Sequence, residues 1–149
     1  MRVIIQRVKQ AQVKIDSEIV GQIKQGVLIF LGVAKQDSYL QADHLIKKII
    51  ELRIFEDKEG KMNLSALEVA AQFLVVSQFT LYGNCDKGRR PSFDEAAPPQ
   101  KAEELYNYFI DGLKKNNVIV EAGRFRAMME VSLVNDGPVT FILESNADY

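Results

Sequence analysis

An α+β domain is predicted by three features of the sequence. Eight short stretches have strand character, two longer ones are amphipathic helices, and 149 residues amount to one domain. Most strand stretches are joined by short turns, so the expectation is a single unit over 1–149. Its sheet should be mainly antiparallel and barrel-like, with both helices packed outside. Folding a chain of this length hides about 69% of its extended surface, enough for a core without staples.

The elements follow in order. Residues 2–9 and 12–16 read as strands, with Val13 and Ile15 alternating against polar neighbours. The pattern continues through 18–24, where Gly21 signals a bulge or bend. Gly26 opens 27–33, a run apolar on both faces and too β-branched and short for a helix. Ser38, with Gln41 three residues on, forms a capping box. Leu45, Ile46, Ile49, Ile50 and Leu52 then make a helical stripe. Phe55 leads into a polar turn that closes at Gly60.

Phe73 to Val76 is a buried strand running directly into Ser77-Gln78-Phe79-Thr80. Residues 83–99 form the longest irregular stretch, the kind of loop that often carries function. A second helix starts near Pro98-Pro99 and buries Ala102, Leu105, Tyr106, Phe109, Ile110 and Leu113. Strands are expected at 118–122, 127–134 and 138–144.

Composition excludes several function classes. The chain has one cysteine and one histidine, so an internal disulfide, a cysteine-based zinc site and a multi-histidine metal site within one subunit are ruled out. A Ser-His-Asp triad would have to use His44, whose setting on the first helix better suits a surface or boundary residue. Cys85 is either a bland loop thiol or, beside Lys87, a reactive one. No P-loop, GxGxxG, HExxH or GxSxG motif is present, and no cofactor is implied. No apolar run approaches a membrane span and the start is no signal peptide, so a soluble cytoplasmic protein is expected.

Nineteen basic and twenty acidic residues leave a net charge of −1, so a polyanion could be held only by a local patch. Lys87, Arg89 and Arg90, around Gly88, are either such a patch or a solvated loop. Two further segments stand out. Ser77-Gln78-Phe79-Thr80 gathers polar side chains where a buried strand ends, as a ligand site or as a strand end whose hydroxyls bond to backbone. In Asn135-Asp136-Gly137-Pro138-Val139-Thr140, Asp-Gly reads as a hairpin turn. Proline after that glycine removes a donor and raises the chance of a cis bond, which would instead turn two carbonyl oxygens outward as a rigid, side-chain-poor device.

These two segments, with Leu81-Tyr82 after the first, resemble the D-aminoacyl-tRNA deacylase (D-Tyr-tRNA deacylase) family. The resemblance runs along the whole chain. Met1-Arg2-Val3-Ile4-Ile5-Gln6-Arg7-Val8, Leu52-Arg53-Ile54-Phe55, Gly60-Lys61-Met62-Asn63 and Lys87-Gly88-Arg89-Arg90-Pro91-Ser92-Phe93 also match in family order. One departure is Arg126, in Phe125-Arg126-Ala127, where the family pattern has glycine.

The resemblance implies a homodimeric hydrolase, with no metal. It would cleave the ester joining a D-amino acid, or glycine mischarged on tRNA(Ala), to the 3′-terminal adenosine of tRNA. It further implies that the Gly137 and Pro138 carbonyls, offered across the dimer, hold the substrate's α-amino group and reject L side chains. Arg7 would hold that motif in place, and Met129 would contact substrate. Ser77, Gln78, Phe79 and Thr80 would form the catalytic pocket, with the Phe79 or Thr80 N–H near the scissile carbonyl. Two other classes remain open: a non-catalytic module that binds aminoacyl-tRNA ends, and a small-molecule hydrolase that ignores RNA.

With no histidine or cysteine available there, activation needs another source. Thr80 could be the nucleophile, but no base accompanies it in sequence. Backbone donors that stabilise the oxyanion, helped by the terminal ribose 2′-hydroxyl, suit a labile aminoacyl ester better.

Overall fold

In the computed structural model, residues 1–145 are described. The chain runs β1 (Arg2–Ile15), β2 (Glu18–Ile23), β3 (Gly26–Gly32), α1 (Tyr39–Glu51), β4 (Arg53–Glu56), β5 (Met62–Ser65), β6 (Gln72–Ser77), a 3-10 turn (Phe79–Tyr82), α2 (Pro99–Lys114), β7 (Val120–Ala122) and β8 (Glu130–Glu144). The expected α+β architecture holds.

The main sheet has the order β2-β1-β3-β6-β7, with β8 on the other side of β1. Pairs to β1 are antiparallel, while β3–β6 and β6–β7 are parallel. The sheet curls until β2 meets β7. A Cβ on Gly21 would sit 2.9 Å from the Ala122 carbonyl, so only glycine allows that approach. The bulge expected at Gly21 is there, because register shifts between Val13–Gly21 and Lys14–Ile19.

Curling divides the core in two. Val8, Ala11, Val13, Ile23, Leu28, Leu74 and Val76 fill the barrel interior. The opposite face of the same strands carries Val3, Ile5, Val27, Ile29, Phe73 and Val75 and is covered by α1 and α2. Two-sided burial of β3 and β6 explains their near-continuous apolar sequence. Ser38 and Gln41 form the capping box of α1, the Gln41 Oε1 accepting from Ser38 N at 2.8 Å.

Two expected strands differ in extent. Residues 2–9 and 12–16 form one long strand, because β8 pairs along the whole of it. The stretch 127–134 is not strand from its start: β8 begins at Glu130, and the chain before it turns at Arg126, where φ is +62°. The hairpin β4–β5 has no mark in the sequence, since Ile54 and Phe55 are too short an apolar pair to show a two-residue period.

Candidate active site

Where β6 ends, the barrel opens into a cleft of about 700 Å³. Leu31, Val76, Met129 and Val131 line its apolar depth, and Ser77 and Gln78 stand at its polar edge. Phe79 and Phe93 stack edge to face, with centroids 4.9 Å apart, and form one wall. The opposite wall is the 123–129 turn, which supplies Phe125, Arg126, Ala127 and Met128.

Buried Tyr106 on α2 fastens that turn to the sheet. Its hydroxyl donates towards the carbonyls of Val75 on β6 (2.9 Å) and Gly123 (3.1 Å), and its ring lies against Phe125. Burial pushes its phenol pKa well above the ordinary value.

The 3-10 turn begins without a side-chain cap, so its first-turn N–H groups, at Phe79 and Thr80, have no carbonyl one turn earlier to serve. Thr80 is exposed, and its hydroxyl accepts a hydrogen bond from the Gln78 side-chain amide. Among the described residues no carboxylate or imidazole bonds to it. Arg2 braces the other end of the turn, donating to the Leu81 carbonyl at 2.6 Å with its guanidinium 5.0 Å from the Tyr82 ring centroid.

Asn135-Asp136-Gly137-Pro138 does not reverse the chain, as the hairpin reading expected. Gln6 pairs with Thr140 and Val8 with Asn135, so residues 136–139 loop out of a single strand opposite Arg7. The Asn135 side chain closes the base of the loop: its Oδ1 accepts from Val139 N at 2.7 Å, and its amide donates to the Val139 carbonyl at 3.3 Å. The Gly137–Pro138 bond is cis, and both residues are exposed. Gly137 has φ +147°, and a Cβ there would lie 2.6 Å from Val139 Cγ2.

Arg7 is 4% exposed. It donates to the Asp136 carbonyl at 2.9 Å and to the Ile54 carbonyl at 2.7 Å, with the Glu56 carboxylate 3.5 Å away. One buried guanidinium thus joins the loop to the unforeseen β4.

The expected site residues fall into two places. Ser77, Gln78, Phe79 and Met129 line the cleft, and Thr80 continues the turn at its edge. Gly137 and Arg7 instead line a separate hollow of about 490 Å³ with Lys9, Glu56 and Asp136. Within one chain, the two groups do not meet. His44 lies away from both, its Nδ1 3.0 Å from Ser145 Oγ, and Cys85 is exposed in the 83–99 loop. Sequence reasoning missed the wall residue Phe93 as a pocket group and Tyr106 as its brace. Only helical spacing marked Tyr106, and that spacing says core.

The family model for D-Tyr-tRNA(Tyr) deacylase matches residues 4–144. D-aminoacyl-tRNA deacylase of Geotalea uraniireducens (strain Rf4) is 57% identical, over 97% of this chain and 94% of that one. The protein of the same name from Bacillus cereus (strain AH187) is 54% identical, over 97% and 99%. A solved structure of c-Myc DNA Unwinding Element Binding Protein superposes with a TM-score of 0.93 at 39% identity, covering 99% of this chain and 100% of that one. The chain therefore belongs to the D-Tyr-tRNA(Tyr) deacylase family and is an enzyme of the D-aminoacyl-tRNA deacylase kind.

Proposed function

We propose that this protein works as a homodimer in the cytoplasm, clearing D-aminoacyl-tRNA and glycyl-tRNA mischarged on tRNA(Ala). In this reading each cleft is completed by the partner's Gly137 and Pro138. The observation that carries it is the separation just described. The cleft holds Ser77, Gln78 and Phe79, while the exposed carbonyl-bearing loop of the same chain stands elsewhere. A second copy is the source of carbonyls that the geometry leaves available.

An apolar row supports this assembly. Val76 pairs in register with Phe30, Phe30 with Ile4, and Ile4 with Ile142, so the four cross the sheet on one face. The row leads from the cleft to the free side of β8, where Ile142 is 65% exposed. Val134 and Phe141 are exposed on the same strand. Solvent-facing apolar side chains concentrated along one edge strand suit burial against a second copy.

In the completed cleft, the substrate's α-ammonium is held by the partner's Gly137 and Pro138 carbonyls. An L side chain would then point into those oxygens, meeting a clash and leaving polar groups desolvated without partners. A D side chain points to solvent, so many residue types pass. Glycine, with no side chain, passes the same filter.

The ester carbonyl lies against the Phe79 and Thr80 N–H groups, which take up the charge that develops on oxygen as water attacks. The ribose 2′-hydroxyl positions that water. The acyl–oxygen bond breaks, the amino acid leaves as the free acid, and the 3′-hydroxyl of tRNA takes up a proton.

The test is hydrolysis of matched D-Tyr-tRNA and L-Tyr-tRNA by the purified protein with a chelator present. The expected result is release from the D ester alone, undiminished by the chelator. Equal release from both esters would overturn the filter, and release from neither would overturn the activity.

A further inference from the structure

Arg126 occupies an unusual place. It sits in the left-handed region at φ +62°, where an L side chain is disfavoured and glycine is at ease. Among the described residues it is the one charged side chain lining the cleft, it is exposed, and it makes no ion pair. The turn that carries it also holds Arg124, and no carboxylate lies between Ala122 and Glu130.

A second group of cations leads to the same cleft. Asn84 and Ser92 pair backbone to backbone and set residues 85–91 out as a projecting loop, which reaches the cleft through Phe93. Between Asn84 and Ser92, Lys87, Arg89 and Arg90 stand with one carboxylate, Asp86, while Asp94 and Glu95 follow outside the loop, beyond Phe93. All three are exposed and unpaired among the described residues. Arg90 is three residues from Phe93, so chain reach keeps it within about 11 Å of that wall. Within the projecting loop itself, residues 85–91, three cations stand against one carboxylate, a local excess in a molecule of net charge −1.

From this arrangement we infer that Arg126 and the Lys87–Arg89–Arg90 loop bind the phosphodiester backbone of the tRNA acceptor end, guiding its terminal adenosine into the cleft. The inference rests on the deacylase reading above and adds how RNA is told from a bare aminoacyl nucleoside. An apolar cleft can hold an amino acid and a base, but it offers the preceding phosphates nothing except Arg126. Guanidinium is suited to that task because its planar fork meets two phosphate oxygens at once.

The experiment compares D-Tyr-tRNA with 3′-O-D-tyrosyl-adenosine, which has the reacting ester but no phosphate. Both are assayed between about 50 and 200 mM KCl, the range over which counterion release is readily measured. The proteins are wild type, R126G, R126K and the triple variant K87A/R89A/R90A. Each lost single-strand phosphate contact should flatten the plot of log kcat/KM for the tRNA against log salt by about 0.7.

R126G should raise KM for the tRNA roughly tenfold, the effect of losing one charge-assisted contact. It should leave kcat for the tRNA within about threefold of wild type, since it removes binding rather than transition-state contacts. It should also narrow the preference for tRNA over the nucleoside ester. R126K should recover part of the salt slope. Because glycine suits the left-handed backbone, R126G should melt no lower than wild type, which separates lost charge from lost structure.

Variants matching wild type in KM and salt slope would overturn the inference while leaving the deacylase reading intact. So would a wild-type enzyme that handles both esters equally and without salt dependence. A wild type inert towards both esters would overturn the deacylase reading and this inference with it.

Discussion

Thr80 and Gly137 carry opposite expectations. The Thr80 hydroxyl accepts from the Gln78 amide and has no base bonded to it among the described residues, which is no arrangement for a nucleophile. Thr80→Ala should keep kcat on D-Tyr-tRNA within about tenfold of wild type, whereas removing a true catalytic nucleophile costs on the order of 10⁶. Single-turnover kinetics would decide, and complete loss in a folded protein would show that the hydroxyl reacts. Gly137 contributes no side chain and is the less replaceable of the two. At φ +147°, with Val139 in the way, Gly137→Ala should cost about 1–3 kcal/mol of stability. By moving the carbonyls it should also lower the D-over-L rate ratio by at least about tenfold, a change of about 1.4 kcal/mol in discrimination. A ratio that stays put would mean the filter lies elsewhere.

Elements transmit the effects of residues that touch no substrate. Tyr106 ties α2 to the 123–129 turn, so Tyr106→Phe leaves the Gly123 carbonyl without its hydroxyl donor while keeping the ring. A loss of about 1–2 kcal/mol follows, or roughly 3–6 °C in Tm for a chain of this size. KM for D-Tyr-tRNA should rise severalfold as the wall loosens.

The sign of the pH dependence is also set. Burial raises the phenol's pKa in the folded state, so this stabilising contribution is fully present below the ordinary value of about 10 and is lost as pH climbs above it. Thermal melts across that range should therefore show a steeper alkaline fall for wild type than for the phenylalanine variant. At this scale the helices were the most legible part of the sequence: the capping box and the apolar stripe of α1 are local signals. β8 was only half legible. Its two halves each read as strand, but whether Asp-Gly-Pro reverses the chain or merely leaves the ladder depends on β1 being long enough to pair both halves.

For the molecule as a whole, the row Val76–Phe30–Ile4–Ile142 runs from the cleft to the edge strand on which the proposed dimer rests. Ile142→Glu puts a charge where the second copy would bury an apolar side chain, and it should weaken self-association on the order of a hundredfold, about 2.7 kcal/mol. Sedimentation at several protein concentrations would measure this. Activity should fall in step with the dimer fraction. A variant that stays fully active as a monomer would place the amino-group carbonyls within one chain and defeat the cross-subunit reading.

By itself, the sequence determined the α+β class, both helices, the buried strands and the two segments that carry the family resemblance. Those signals are local: periodicity, capping and turn residues act within a few positions of one another. Tertiary structure alone decided that Arg7 reaches across to Asp136 and Ile54, that Tyr106 braces the cleft, and that Arg126 faces into it. It also separated Gly137 from the Ser77–Gln78 cleft in one chain. These relations join residues far apart in sequence, and they arise from how the sheet curls and which side of β1 receives β8. No local pattern encodes that choice.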